Sequence, residues 1–266
     1  MAKLEVICRH LKIPLRLWSM QTQVHYDSLE HANKEHGQIF VADWCMSSVC
    51  NFACSYCPEN LHDHSTPFPD VDSAIRFARQ LRAHFQDREI FFQLTGGEVT
   101  LWKELPQFLK ALKEIGCKAG IISNGSRAMY WWQNNVELID HVCISYHAEF
   151  AKLDHFLEVV EFLAPRTTVH ANIMMSPKLF DQCIEAAKKL SVIPDVTVAL
   201  QPLIINFGSQ LYDYTPEQMD LIHHPLKTMP PAQITRSRFN YRGVMKMKNK
   251  NADIETLPSR SEERRV

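Results

Sequence analysis

Short runs rich in Val, Ile and Phe alternate with amphipathic helical stretches from about residue 38 onward, and this alternation constrains the fold more than any other feature of the chain. Strands separated by helices join as repeated βα units and make a mainly parallel α/β sheet. Six strands are predicted, at 39–44, 89–95, 118–123, 141–146, 168–175 and 196–201. Between them, Pro69 and Asp70 open a helix in which Ile75, Ala78 and Leu81 recur at helical spacing, and the next carries Leu105, Phe108, Leu109 and Leu112. Further helices are expected near 127–137, 151–164 and 177–190, the last with Ser176 as N-cap and Pro177 at the first helical position. Right-handed crossovers between such units gather the loops after the strands at one rim.

Residues 1–37 and 204–266 stand outside the pattern as extensions to a core at 38–203. Thr215-Pro216-Glu217 has the form of a helix start, and the final ~36 residues read as loosely structured. At 266 residues, 45% hydrophobic and 22% charged, the composition is that of one ordinary globular domain. The net charge of −1 gives no overall reason to expect nucleic acid or an anionic membrane as main partner. No apolar run approaches the ~20 residues that cross a bilayer, and the first residues are not those of a secretory signal, so a cytoplasmic location is expected. Eight cysteines in such a chain read as reduced thiols.

Three of those thiols are bunched. Cys50, Cys54 and Cys57 follow the first predicted strand in CNFACSYC, with three and then two residues between them. Thiolates on one tight loop can reach three irons of a cubane and leave the fourth open to an incoming ligand, as a catalytic metal centre requires. The spacing leaves a second reading open, a zinc site with its fourth ligand from Cys45, His62 or His64, although zinc ligands usually come as two couples and no second cysteine pair exists.

CNFACSYC, with the aromatic Tyr56 before its last cysteine, resembles the CxxxCxxC signature of the radical S-adenosylmethionine (SAM) superfamily, a resemblance that covers about 38–203. It implies a partial (β/α)6 barrel of parallel strands, open on one side. It further implies a [4Fe-4S] cluster on Cys50, Cys54 and Cys57, whose fourth iron binds SAM. One electron then splits SAM into methionine and a 5'-deoxyadenosyl radical, which abstracts a substrate hydrogen. Thr95-Gly96-Gly97-Glu98 closes the second predicted strand and is similar to the family's GGE motif, which holds the SAM amino group. Glycines permit close backbone approach, and a carboxylate accepts a strong hydrogen bond from an ammonium. Ser123-Asn124-Gly125 resembles a family segment that lines the SAM site, and Ser145-Tyr146-His147 resembles the Ser-x-Asp-Gly segment at the ribose, with His147 where Asp is often found. The resemblance thus assigns Tyr56 to the adenine, Glu98 with Gly96 and Gly97 to the amino group, and Asn124, Ser145 and Asn172 to ribose or carboxylate. Gln201 is a weaker candidate at the sixth strand end.

The implied partners are an electron donor such as flavodoxin or ferredoxin and a peptide, natural-product or small-molecule substrate, with a glycyl-radical activase as an alternative role. The reading from a different class is a non-catalytic zinc-binding scaffold. No cysteine follows Cys183, so the SPASM or twitch extension that carries auxiliary clusters is missing from this chain, and its end, SRSEERRV, is consistent with a truncated version of such a protein. The thirteen histidines are scattered; of the close pairs, His62 with His64 is better placed than His223 with His224. Trp131 and Trp132 read as packing a helix to the barrel, and Cys8, Cys45, Cys117, Cys143 and Cys183 as small apolar residues. The stretch 236–250, with six basic residues, no acid and interleaved Phe239 and Tyr241, has two readings, a solvated edge first and a grip on a phosphate or an acidic peptide second.

Overall fold

A computed structural model of the chain describes residues 28–31, 38–205, 210–224, 245–249 and 252–257. In chain order the strands are β1 (Ser28–His31), β2 (Ile39–Cys45), β3 (Glu89–Thr95), β4 (Lys118–Ser123), β5 (His141–Tyr146), β6 (Thr168–Met175), β7 (Val196–Pro202), β8 (Met245–Asn249) and β9 (Ala252–Leu257). The helices are α1 (Val71–His84), α2 (Leu105–Glu114), α3 (Met129–Asn135), α4 (Leu153–Leu163), α5 (Phe180–Ser191) and α6 (Pro216–His223). The chain divides into two compact units, Met1–Lys34 with Arg242–Val266, and Glu35–Tyr241.

In the smaller unit β8 pairs antiparallel with β1 and with β9, Ser28 opposite Lys248 and Met245 opposite Leu257. The sequence reading places no strand in these segments. The alternation of MKMKN and ADIETL has the period of two that a strand requires, and pairing satisfies backbone groups that a loose tail would leave to water. Cys8 and residues 236–244 lie outside the described residues.

The larger unit holds one sheet in the order β2-β3-β4-β5-β6-β7, every neighbouring pair parallel. All six strands fall where the alternation predicts, within one residue at each end. β2 and β7 are not paired with each other, so the sheet stays open. Its two faces differ in chemistry. On the outer face Ile90, Phe92, Leu94, Val142, Ile144, Val169, Ala171 and Ile173 are buried against the helices. Trp44 meets Phe77 of α1 edge-on at 5.3 Å and Phe108 of α2 at 5.9 Å, while Tyr146 meets Phe156 of α4 at 5.3 Å. Fully burying one such side chain stabilises by about 1.5–3 kcal/mol, so this layer holds the unit together.

The alternate positions mix the polar Asp43, Gln93, His141, Cys143, Ser145, His170, Asn172 and Thr197 with the apolar Val41, Phe91, Ile122 and Met174. Sheets covered on both sides normally read as continuous apolar runs, and closed barrels fill with branched side chains. Polar groups set among apolar ones are what a sheet face presents when it lines a ligand-sized space instead of a packed core.

The helix signals hold with one shift. Asp70 caps α1 by accepting from Ser73 N (2.9 Å), and Thr215 and Gln218 form a reciprocal capping box on α6. α5 begins at Phe180, not at 177: Leu179 N donates to Ser176 O (3.2 Å), so Pro177 opens a turn that precedes the helix. Trp131 and Trp132 are both buried in the core as expected.

Candidate active site

The cysteine loop leaves the C-terminal end of β2 and is held on three sides. Toward β3, Met46 N donates to Thr95 O (2.8 Å), Gly97 N to Ser47 O (2.7 Å) and Glu98 N to Val49 O (2.8 Å). These bonds draw the backbone of 46–50 so near Gly96 and Gly97 that neither tolerates a side chain. A Cβ on Gly96 would stand 2.5 Å from Ser47 O, and one on Gly97 would overlap the Val49 carbonyl. Gly96 also sits at φ +132°, a region L side chains rarely adopt. Within the loop, Ser48 Oγ donates to Asp63 Oδ1 (2.7 Å), Ser47 Oγ to Thr66 O (2.9 Å), and His64 Nε2 is 2.8 Å from Cys50 O. His64 therefore buttresses the loop, whereas His62 has a buried Nδ1 with no hydrogen-bond partner among the described residues.

Cys50 and Cys57 are partly exposed and Cys54 is buried, all as free thiols. Burial pushes all three thiols up, Cys54 to about 12, and each of them lies in the field of neighbouring negative groups: Glu98 for Cys50, Glu149, Cys50 and Cys57 for Cys54, and Cys50 for Cys57. Thiols that repel one another as thiolates, in a half-dry pocket, fit a cationic metal centre that relieves both penalties. Phe52 N already donates to Cys50 Sγ (3.4 Å). Among the described residues no three His, Cys, Asp or Glu side chains are gathered as ligands of a single ion. A cubane makes no such demand, since its thiolates bind separate irons.

Glu98 is 1% exposed. Its Oε1 accepts from Thr100 N (3.1 Å), Thr100 Oγ1 (2.5 Å) and Ser123 Oγ (2.8 Å), and its Oε2 from Asn124 N (2.6 Å). It thereby knots the ends of β3 and β4 together. Burial pushes its carboxyl up while the four hydrogen bonds pull the other way. All four partners are neutral, so among the described residues no cation faces this buried carboxyl, and Oε2 keeps a lone pair for a cationic donor.

Asn124 is committed as well, Nδ2 to Asn51 Oδ1 (3.0 Å) and Oδ1 from Ser126 N (3.0 Å), which ties β4 to the residue after Cys50. Ser145 lies opposite Asn172 in register on the inner face and makes no side-chain hydrogen bond among the described residues. Asn172 donates to Cys143 Sγ (3.1 Å) and stands 3.0 Å from His170 Nε2. Cys143 thus belongs to a polar cluster, and Cys45 is exposed, so neither is the small core residue expected; Cys117 and Cys183 are buried. Tyr56 packs with Cys54 and Leu203, and Phe52, Cys57, Met174 and Tyr212 close round them at the rim.

His147 does not follow the segment it resembles. Its Nδ1 lies 2.6 Å from the Tyr56 hydroxyl and 3.6 Å from Cys54 Sγ. Two residues on, Glu149 accepts from both Ser55 N (2.7 Å) and Ser55 Oγ (2.5 Å). Sequence reasoning missed Glu149, and no motif marks it.

The family model described as the Radical SAM superfamily matches residues 44–197, more than half of the chain. A probable GTP 3',8-cyclase of Sulfurisphaera tokodaii is 28% identical over 165 residues, 61% of this chain and 44% of that protein. Another of Sulfolobus acidocaldarius is 32% identical over 81 residues, 30% of this chain and 25% of its own length. The chain therefore spans less than half the length of either. Among solved structures, native anSMEcpe with bound AdoMet shares the fold at TM-score 0.53 and 14% identity, covering 71% of this chain and 59% of that one. The same protein with bound AdoMet and Cp18Cys peptide gives 0.52 and 13%, covering 71% and 58%. The superfamily works with a [4Fe-4S] cluster and SAM. With its family model laid over the open six-stranded sheet from the end of β2 into β7, the chain belongs to the radical SAM superfamily.

Proposed function

We propose that this chain is a radical SAM enzyme in which Cys50, Cys54 and Cys57 ligate the cluster, Glu98 receives the SAM amino group, and a peptide or natural-product substrate gives up a hydrogen atom. The observation that carries the reading is the buried Glu98 carboxyl with four neutral donors and no cation beside it among the described residues, at the strand end next to the cysteine loop. An ammonium at Oε2 would supply the missing charge through a charge-assisted hydrogen bond. When bound, the cluster supplies the electron that splits SAM into methionine and a 5'-deoxyadenosyl radical. The chain's own residues orient and enclose. Tyr56 borders the adenine, Ser145 offers a free hydroxyl, and Asn172 and Asn124 stand toward the ribose and carboxylate. The rim residues Tyr212, Met174 and Leu203 keep water from the reacting atoms.

The open edge between β2 and β7 admits a substrate larger than the sheet could enclose, which favours a peptide, and the similarly folded anSMEcpe binds one. A second reading, a small-molecule substrate of nucleotide type, is favoured by the identity to probable GTP 3',8-cyclases. An electron donor of flavodoxin or ferredoxin type completes the cycle.

Anaerobically reconstituted protein reduced with dithionite is expected to release 5'-deoxyadenosine and methionine from SAM, and Cys54→Ala to release neither. A full cluster without cleavage would overturn the reading, and one equivalent of zinc with little iron would point to a scaffold. A rise in 5'-deoxyadenosine on adding GTP would favour the nucleotide substrate over the peptide.

A further inference from the structure

The turn after β5 grips the cysteine loop at successive residues. His147 meets Tyr56 and Cys54, Glu149 holds Ser55 by two hydrogen bonds, and the Phe150 ring stacks on Phe52 at 5.3 Å. The gripping turn is itself fixed, because Phe150 N and Ala151 N both donate to His147 O (3.0 and 2.8 Å). The Tyr56 and His147 rings lie nearly parallel, 11° apart, with Phe52 edge-on to His147 at 6.1 Å. Tyr56 Oη and Cys54 Sγ thus both lie within reach of one nitrogen, His147 Nδ1, at 2.6 and 3.6 Å, in a cluster where Tyr56 and Cys54 pack together.

We propose that His147 is a positioning residue of the iron–sulfur centre, its Nδ1 holding the Tyr56 hydroxyl against Cys54 Sγ so that this sulfur carries a hydrogen bond set from the end of β5. The inference rests on the reading that Cys54 ligates a cluster. A tyrosine hydroxyl has one proton to give. Where Nδ1 carries the hydrogen it donates to Tyr56 Oη and leaves that proton for Cys54. A bare Nδ1 would take the proton instead. A thiolate sulfur selects the first arrangement, a tautomer assigned from the network. Hydrogen bonds to cluster sulfurs stabilise the more negative, reduced state and raise its potential. The imidazole at 147 is turned to the cysteine loop, so it serves the cluster where an acid at this place would serve the ribose.

The test is an EPR-monitored redox titration of reconstituted wild type, His147→Leu, His147→Asn, Tyr56→Phe and the Leu/Phe double variant. His147→Leu and Tyr56→Phe are each expected to shift the reduced-to-oxidised ratio about tenfold toward oxidised at a fixed potential, about 59 mV at the one-electron constant. The double variant should shift no further than either single one, because both remove the same bond. Asn, with an amide near the Nδ1 position, should recover most of the shift. A change under twofold in His147→Leu with its cluster intact, or additive shifts, would overturn the proposal. In the cluster-free protein, Tyr56→Phe should move the 15N resonance of His147 Nδ1, and an unmoved resonance overturns the proposal even if the variants hold no cluster. Wild type that assembles no [4Fe-4S] cluster would instead sink the reading beneath it, while the NMR result still reports on the hydrogen bond.

Discussion

Gly97 shows how much one missing methyl group governs. Its Cα lies so close to Val49 that alanine there must push the cysteine loop off β3, where Gly97 N and Glu98 N anchor it. Gly97→Ala should destabilise the fold by about 1–3 kcal/mol, as overpacking does. It should also lower iron bound per chain several-fold after reconstitution. Gly116, at φ +71° with nothing within 4 Å of its would-be Cβ, is the control. Alanine there costs roughly 1–2 kcal/mol of backbone strain and should leave iron content alone; equal iron loss in both variants would refute the packing argument. The motif itself is legible in the sequence, but its first task is not. Close approach suggests SAM, whereas the groups that approach Gly96 and Gly97 are backbone atoms of 46–50, far earlier in the chain. The same limit hides Glu149, since a lone carboxylate carries no spacing signal and its partner Ser55 lies 94 positions away.

Strands are the most legible elements, because a parallel strand buried on its helix side must carry Val, Ile or Phe at alternate places whatever its other face does. Helix starts depend on whether the cap is local. Thr215 and Gln218 cap one another within three residues, and the start of α6 is plain in the sequence for that reason. At 176–179 the turn closes on its own Leu179 N–Ser176 O bond and is also held from a distant part of the chain, where Gln218 Nε2 of α6 donates to Pro177 O (3.2 Å). The return from β7 to α6 has its own fastener. Tyr214 Oη donates to Met175 O (2.5 Å) and accepts from Leu203 N (2.7 Å), pinning the segment that brings Tyr212 to the cysteine loop. Tyr214→Phe leaves both backbone groups without that partner, which should cost about 1–3 kcal/mol. Limited proteolysis should then nick the chain between 203 and 214 faster than in wild type. An unchanged nicking rate and urea midpoint would mean the hydroxyl fastens nothing.

For the molecule as a whole, the polar groups of the inner face make stability depend on pH. Burial pushes His141 down to about 4, with His170 nearby adding to the effect, and lowers His170 itself; His147 is likewise pushed down to about 4 by burial. Unfolded histidines take a proton near 6.5, so between about pH 6.5 and 4 the unfolded chain binds more protons and stability falls as pH falls. His141 alone contributes a slope of up to about 1.4 kcal/mol per pH unit there. Urea midpoints of the cluster-free protein should drop from pH 7 to 5, and His141→Gln should flatten the drop; a midpoint level across that range would contradict the buried neutral ring. The polarity of this face is visible in the sequence only as residues that interrupt apolar strands; that they share one side emerges from the register. The grips on the cysteine loop also set an order of events during synthesis. Asn51 waits for Asn124, Tyr56 for His147 and Ser55 for Glu149, so the cysteines leave the ribosome long before their last brace, 94 positions on. On the proposed reading that these cysteines hold a cluster, a metal centre delivered before residue 150 is made would meet a loop still without its braces from β5.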